Sequence, residues 1–246
     1  MRRHTTIFIL AAVFIATSVL LYFFHFLIFK DPHHIFIYML GDLAFLPLEV
    51  FLVVVVIERI LAYREKQATM KKLNMVIGAF FSEVGNELLG RLLGCFEKTE
   101  EICQCLAIKG NWCHADFTRA VTWAHGFKGG PDSTRIDLQS LRTFLIQKRQ
   151  FLLALLENPN LLEHERFTNL LWSVFHLAEE LELRPSVMAS PPTDLSHISG
   201  DIERVYRHLV AEWLYYAEHL RTNYPFLFSL VARIHPFQEH PSPVVN

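Results

Sequence analysis

Asp42 and Glu49 are the residues of this 246-residue sequence whose positions most demand a chemical explanation. They interrupt an apolar run, Ile35 to Ile57. If that run lies in lipid, each ionisable side chain costs roughly 2.5–3.5 kcal/mol. Seven residues at about 100° each close to within roughly 20° of two full turns, so both carboxyls share one helix face. Pro47 lies between them, frees the carbonyl of Leu43 and predicts a kink. An earlier apolar run carries a matching stripe, Ser18, Tyr22 and His25, at spacings of four and three. Folded back near Pro32, the runs bring His25 and Tyr22 to the depth of Asp42, and Ser18 to that of Glu49. Such stripes can act as interhelical glue within a chain or between copies, handle protons or ions, or contact a lipid or quinone headgroup. Proton or ion handling requires an oligomer or a partner, because two helices enclose no path.

Cys95, Cys103, Cys105 and Cys113, followed by His114, fall within 20 residues. Their spacing does not match zinc knuckles built on Cys-x2–4-Cys pairs. On a helix Cys103 and Cys105 point about 200° apart and do not share an ion. In a reducing cytoplasm they read as free thiols and small hydrophobes. Three groups of His and Glu also sit on predicted helices: His176 with Glu179 and Glu180, His208 with Glu212, and the adjacent Glu218 and His219. Helical bundles build di-iron centres from Glu-x-x-His pairs on facing helices. That order is absent here and His176-x-x-Glu179 reverses it, so hydrogen bonds and surface pairs account for these residues and no metal or cofactor is assigned.

No P-loop, Gly-x-Ser-x-Gly, dinucleotide fingerprint or His-Glu-x-x-His occurs, so no catalytic residue is assigned. Gly126-Phe-Lys-Gly-Gly lacks a preceding strand and reads as a turn. Leu162-Glu-His164-Glu-Arg resembles the phosphoacceptor helix of sensor kinases, but no ATP-binding domain follows it.

The elements that must position these residues begin with Ile7 to Phe29, a run of 23 residues without Asp, Glu, Lys or Arg. At about 1.5 Å per residue it matches the roughly 30 Å hydrocarbon core of a bilayer. A cleaved signal peptide is excluded, since its apolar stretch is only about 7–15 residues long. With Ile35 to Ile57 it predicts a transmembrane hairpin turning at Lys30 to His34. Arg2 and Arg3 precede the first span, and Arg59, Arg64, Lys66, Lys71 and Lys72 follow the second. Positive charge stays inside, which predicts a multi-pass protein of the cell (inner) membrane with both termini cytoplasmic.

Residues 59–72 hold those five basic side chains against one acid, Glu65, whereas 73–246 hold 15 Lys/Arg against 20 Asp/Glu. The basic stretch forms a collar suited to lipid headgroups, and its simplest role is to set topology. From Met75 to Leu106 the stripe Ile77, Phe80, Phe81, Val84, Leu88, Leu92 and Phe96 has helical period. Gly78, Gly85, Gly90 and Gly94 allow close packing, either within a subunit or at a seam between copies. Further helices are predicted over His114 to His125, from an N-cap at Ser133 or Thr134 to Glu157, and over Leu161 to Leu183, Ile198 to Thr222 and Phe226 to Ile234. The expected class is all-α, with a hairpin at 1–58, a basic juxtamembrane helix at 59–74, a cytoplasmic bundle at 75–234 and a loose tail at 235–246.

Apolar residues make up 52% and charged residues 20% of the chain, mean hydropathy is +0.25, and the net charge is −2. That balance excludes a disordered chain, a basic nucleic-acid-binding domain and a disulfide scaffold. The run Tyr224-Pro-Phe-Leu-Phe-Ser-Leu-Val-Ala-Arg-Ile-His-Pro-Phe237, with Gly41-Asp42 and Pro47-Leu-Glu49, resembles a group of bacterial two-span membrane proteins with a cytoplasmic helical domain and no assigned activity. The resemblance implies the topology and adds no substrate. The expectation is a membrane-anchored interaction or signalling module, more in keeping with a non-enzyme, whose partners are the bilayer and a second copy or another membrane protein, not nucleic acid. One alternative is an accessory subunit in proton or ion movement through Asp42 and Glu49. Another is a cytoplasmic metal-dependent enzyme.

Overall fold

The computed structural model describes residues 2–127, 129–159, 161, 164–187 and 190–244, without the side chains of 2–8 and 68. The charges of Arg2 and Arg3, Lys128 of the glycine turn, Leu162 and Glu163 of the His164 segment, and the last two residues of the tail lie outside this description. All elements are helical, and no strand occurs among the described residues. The chain divides into two compact units, Met1–Lys66 and Gln67–Asn246.

In the first unit α1 spans Arg2–Phe29 and α2 begins at Pro32 and runs to Phe80. The turn between them is shorter than the expected Lys30–His34. Lys30 takes a left-handed backbone, φ 49°, and its N–H donates to the Phe26 carbonyl at 2.8 Å. The Asp31 carboxylate then accepts from the N–H groups of His33 and His34 at 2.9 and 3.3 Å. An aspartate N-cap followed by proline at the first helical position starts α2 with its orphan donors satisfied. Pro47 lies within α2. Two helices are long and apolar enough to cross a membrane. Apart from Ile35, which is partly exposed, their large apolar side chains from Ile9 to Tyr63 are 36–70% exposed.

The second unit is built around one long helix. After α2, a π-helical turn at Phe81–Gly85 leads into α3, Asn86–Leu93. Then come α4 (Thr99–Leu106), α5 (His114–Gly126), a 3-10 turn at Ser133–Arg135, α6 (Leu138–Leu156) and α7 (Glu165–Leu183). The chain closes with α8 (Pro192–Asn223) and α9 (Pro225–Ile234). α8 packs against α3, α5, α7 and α9, and α6 packs on α7. Val205, Leu209 and Trp213 form the buried stripe of α8 at helical spacing, with Tyr216 half-buried at its end. Leu73, Ile77, Phe80, Phe81, Val84, Leu88 and Leu92 are buried against it. Gly78 lets the Tyr216 ring approach, since a Cβ there would lie 3.0 Å from the Tyr216 hydroxyl. That glycine is a packing point within the unit.

Three local expectations are corrected. The helix after the glycine turn is capped by Asp137, whose carboxylate accepts from the N–H groups of Gln139 and Ser140 at 3.0 Å each. Ser133 instead ties two segments together: its hydroxyl donates to the Leu195 carbonyl, and its N–H donates to Ser199 Oγ, both at 3.0 Å. α8 starts six residues before Ile198, because Pro192 occupies the first turn, where its missing N–H costs nothing. The tail is not loose at its start. His235 and Phe237 are buried, with rings 5.3 and 5.1 Å from that of Trp213.

Candidate functional site

Ser18, Tyr22 and His25 lie on α1, and Asp42 and Glu49 on α2. The expected mutual satisfaction of the two stripes does not form. α1 and α2 do not pack along their length, and neither Asp42 nor Glu49 makes a hydrogen bond or ion pair among the described residues. The helices meet near the turn, where the His25 ring stacks 6.5 Å from that of His34. His25 Nε2 is buried there without a hydrogen-bond partner. Arg59, Arg64, Lys66, Lys71 and Lys72 all lie on α2, exposed and outside any ion pair among the described residues.

The cysteines do not converge. Cys95 is fully buried, and burial pushes its thiol up to about 12. Cys103 and Cys105 sit half-buried on α4. Cys113 is exposed and caps α5, where its N–H donates to Asp116 Oδ2 at 2.7 Å. His114 turns away and meets Glu218 at 2.5 Å. All four thiols are free.

Glu212, Glu218 and His219, but not His208, line a polar cavity of about 360 Å³ together with residues of α2, α5 and α7. Glu212 is buried and forms a close ion pair with Arg166, 2.9 Å, whose guanidinium stacks 4.0 Å over Tyr215. Burial raises the Glu212 carboxyl pKa, while Arg166 pulls it back. His219 Nδ1 accepts from the Asn74 and Asn223 amides at 3.2 and 3.1 Å. Burial lowers the pKa of His219, and also that of His164, whose Nδ1 caps α7 by accepting from the Phe167 N–H at 3.1 Å.

The third group is different. His176 and Glu180 of α7 meet two residues of α8 that sequence spacing had not singled out, His197 and Asp201. His176, His197 and Asp201 each offer one ligand atom, all within 4.8 Å of one another. Asp201 is 2% exposed. Arg204 donates to its Oδ1 at 2.8 Å, and Arg184 donates to Glu180 Oε2 at 2.7 Å. Arg184 also holds Asp194 through two bonds at 2.7 and 2.9 Å, which keeps the Asp194 carboxyl down at about 2.

No solved structure matches the chain. Residues 2–61 match a family described as MJ1433, N-terminal helical domain, and residues 69–233 match its C-terminal helical domain. The two stretches fall on either side of the boundary at Lys66 and Gln67. The chain is 44% identical over 236 residues to Uncharacterized protein MJ1433 of Methanocaldococcus jannaschii, covering 96% of this chain and 94% of the relative. That relative is archaeal, whereas the resemblance read from the sequence is to a bacterial group. With both helical regions matched, the chain belongs to the MJ1433 family of helical proteins.

Proposed function

We propose that the protein is a membrane-anchored interaction or signalling module, with α1 and the apolar part of α2 in lipid and Gln67–Asn246 as its cytoplasmic body. The observation that carries this reading is the exposure of the large apolar side chains from Ile9 to Tyr63, all but the partly exposed Ile35 beside the turn, over two helices of spanning length. A monomer in water rarely exposes a contiguous apolar patch beyond a few hundred Å². Lipid removes that cost, and the five basic residues that follow suit anionic headgroups on the inner face. Asp42 and Glu49 support self-association: each costs roughly 2.5–3.5 kcal/mol in hydrocarbon, and neither finds a partner within the described chain. A second copy or another membrane protein would supply it.

The test is alkaline extraction of membranes combined with reporters fused to each terminus of the full chain. The expected result is a protein that stays in the pellet and reports both ends inside. An extractable protein or an external C-terminus overturns the proposal. Crosslinking in membranes tests the acids: replacing Asp42 by Asn and Glu49 by Gln reduces the dimer signal if they are glue. The same variant leaves the dimer intact but abolishes conductance if the acids carry ions.

A further inference from the structure

α7 and α8 each carry a histidine followed four residues later by a carboxylate: His176 and Glu180 on the first, His197 and Asp201 on the second. Four-residue spacing puts both members of each pair on one helix face. Because α7 packs against α8, the two faces meet. His176 Nε2 and His197 Nε2 lie 3.6 and 3.4 Å from the same oxygen, Asp201 Oδ2. Glu180 approaches the same two nitrogens at 3.9 and 3.8 Å.

Two observations separate this cluster from an ordinary network of ion pairs. The first is the state of Asp201. The residue is 2% exposed, yet Oδ2 accepts no hydrogen bond among the described residues. A buried carboxylate oxygen is costly to leave unsatisfied. Its other oxygen is already occupied by Arg204, and Glu180 repeats the pattern with Arg184 on Oε2 and Oε1 turned toward His176. Outer-shell donors that hold one oxygen and aim the other are how proteins orient ligating carboxylates.

The second observation is distance. Separations of 3.4 and 3.6 Å exceed the roughly 2.7–3.2 Å of an N–H···O bond. These two distances are close to the edge of a tetrahedron whose centre lies about 2.0–2.1 Å from each nitrogen and oxygen, an edge of about 3.3–3.4 Å, whereas Glu180 at 3.8–3.9 Å and the two histidine nitrogens, within 4.8 Å of each other, close in on the ion when it binds.

We propose that His176, His197 and Asp201, completed by Glu180, bind a divalent transition metal ion. Two neutral imidazoles and two carboxylates suit Zn²⁺ and its first-row neighbours, whereas Ca²⁺ and Mg²⁺ take all-oxygen sets. The two carboxylates match the charge of the ion, Asp194 offsets Arg184, and Arg204 stands as one further cation on the outer oxygen of Asp201. Both histidines are partly exposed, at 44% and 55%, so an ion enters without opening the core.

The experiment uses the full chain in detergent, free of any affinity tag and stripped with a chelator, then titrated with Co²⁺ and afterwards Zn²⁺. The expected result is one Co²⁺ per chain, with the intense visible bands of a four-coordinate nitrogen and oxygen site, displaced by Zn²⁺. Arg204→Gln leaves the ligands in place and lowers affinity about 10–100-fold. His197→Ala removes an exposed ligand, keeps the helical circular dichroism and lowers affinity further still. Three results overturn the proposal: no Co²⁺ bound by the wild type, a thiolate-to-cobalt charge-transfer band that assigns the ion to cysteine, or affinity unchanged in both His176→Ala and His197→Ala.

Discussion

His235 makes the stability of the helical body depend on pH in a way that can be worked out from its surroundings. The residue follows α9 and is 2% exposed. Its Nδ1 accepts from the Phe237 N–H at 3.2 Å, and Nε2 faces the Ile108 carbonyl at 3.4 Å. Desolvation holds its pKa down at about 4, against a bond to Ile108 that favours the charged ring. An unfolded histidine titrates near 6.5. Between those values the unfolded chain binds a proton that the folded chain refuses. The contribution is therefore complete above about pH 6.5 and is lost as pH falls toward 4, at ~1.4 kcal/mol per unit. From pH 7.5 to pH 5 the loss is ~2 kcal/mol, and at pH 4 it approaches ~3 kcal/mol. Urea denaturation of the full chain in detergent at the two pH values measures it. His235→Gln keeps an acceptor for Phe237 and cannot titrate in this range. It carries a constant cost but sheds about 2 kcal/mol of the difference between pH 7.5 and 5. Burial lowers the pKa of His164, His208 and His219 in the same direction, and they cancel when the two proteins are compared. A variant with the same pH dependence as the wild type refutes the reasoning and with it the docking of His235 against Trp213.

Gly85→Ala brings a Cβ to 2.5 Å from Phe81 Cδ1 and 3.0 Å from Phe80 Cε1, in a core where both rings are buried. Overpacking costs ~1–3 kcal/mol, against up to ~1 kcal/mol of helix propensity returned, so the urea midpoint falls. Gly110→Ala, with nothing within 4 Å, stays within ~0.5 kcal/mol of the wild type. Arg166→Ala strips the partner from buried Glu212. Its cost stays below the ~3–5 kcal/mol of a broken buried pair, because the carboxyl can take up a proton. That raised pKa makes the variant lose stability as pH rises from 5 to 8, and adding Glu212→Gln removes the slope. Equal pH dependence of the single and double variants would rule this account out.

The residues that were legible in advance acted through their immediate neighbours. A run free of charge marks α1, and Arg184-Pro185 and Tyr224-Pro225 end α7 and α8 where proline forbids continuation. The misreadings involve longer reach. Ser133 has the chemistry of an N-cap, but its two bonds go to Leu195 and Ser199, more than 60 residues away, and Asp137 is left to start α6. His235 follows an apolar helix and precedes a proline, which is the signature of a frayed end. Only the Trp213 surface, invisible in one dimension, gives it a place to dock.

The cluster on α7 and α8 shows the same limit at a functional level. His176 and Glu180 are recognisable as an i, i+4 pair on one helix, and alone they read as a surface pair. His197 and Asp201 have the same spacing, but the first of them lies one residue before the helix start expected at Ile198. Once Pro192 is taken as a helix start, His197 falls inside α8, and the helices α7 and α8 carry the His-x3-carboxylate motif three times, at His176, His197 and His208, of which the first two face each other. The motif alone does not assemble a site, because it leaves the rotation of α7 against α8 undetermined. Packing decides that rotation: Phe167, Leu170, Leu171, Val174 and Leu177 of α7 and Val205, Leu209 and Trp213 of α8 are buried in one core. The apolar faces therefore set the register in which the two histidines reach one oxygen of Asp201. A substitution within that core that turns α7 would separate the cluster without touching any of its members.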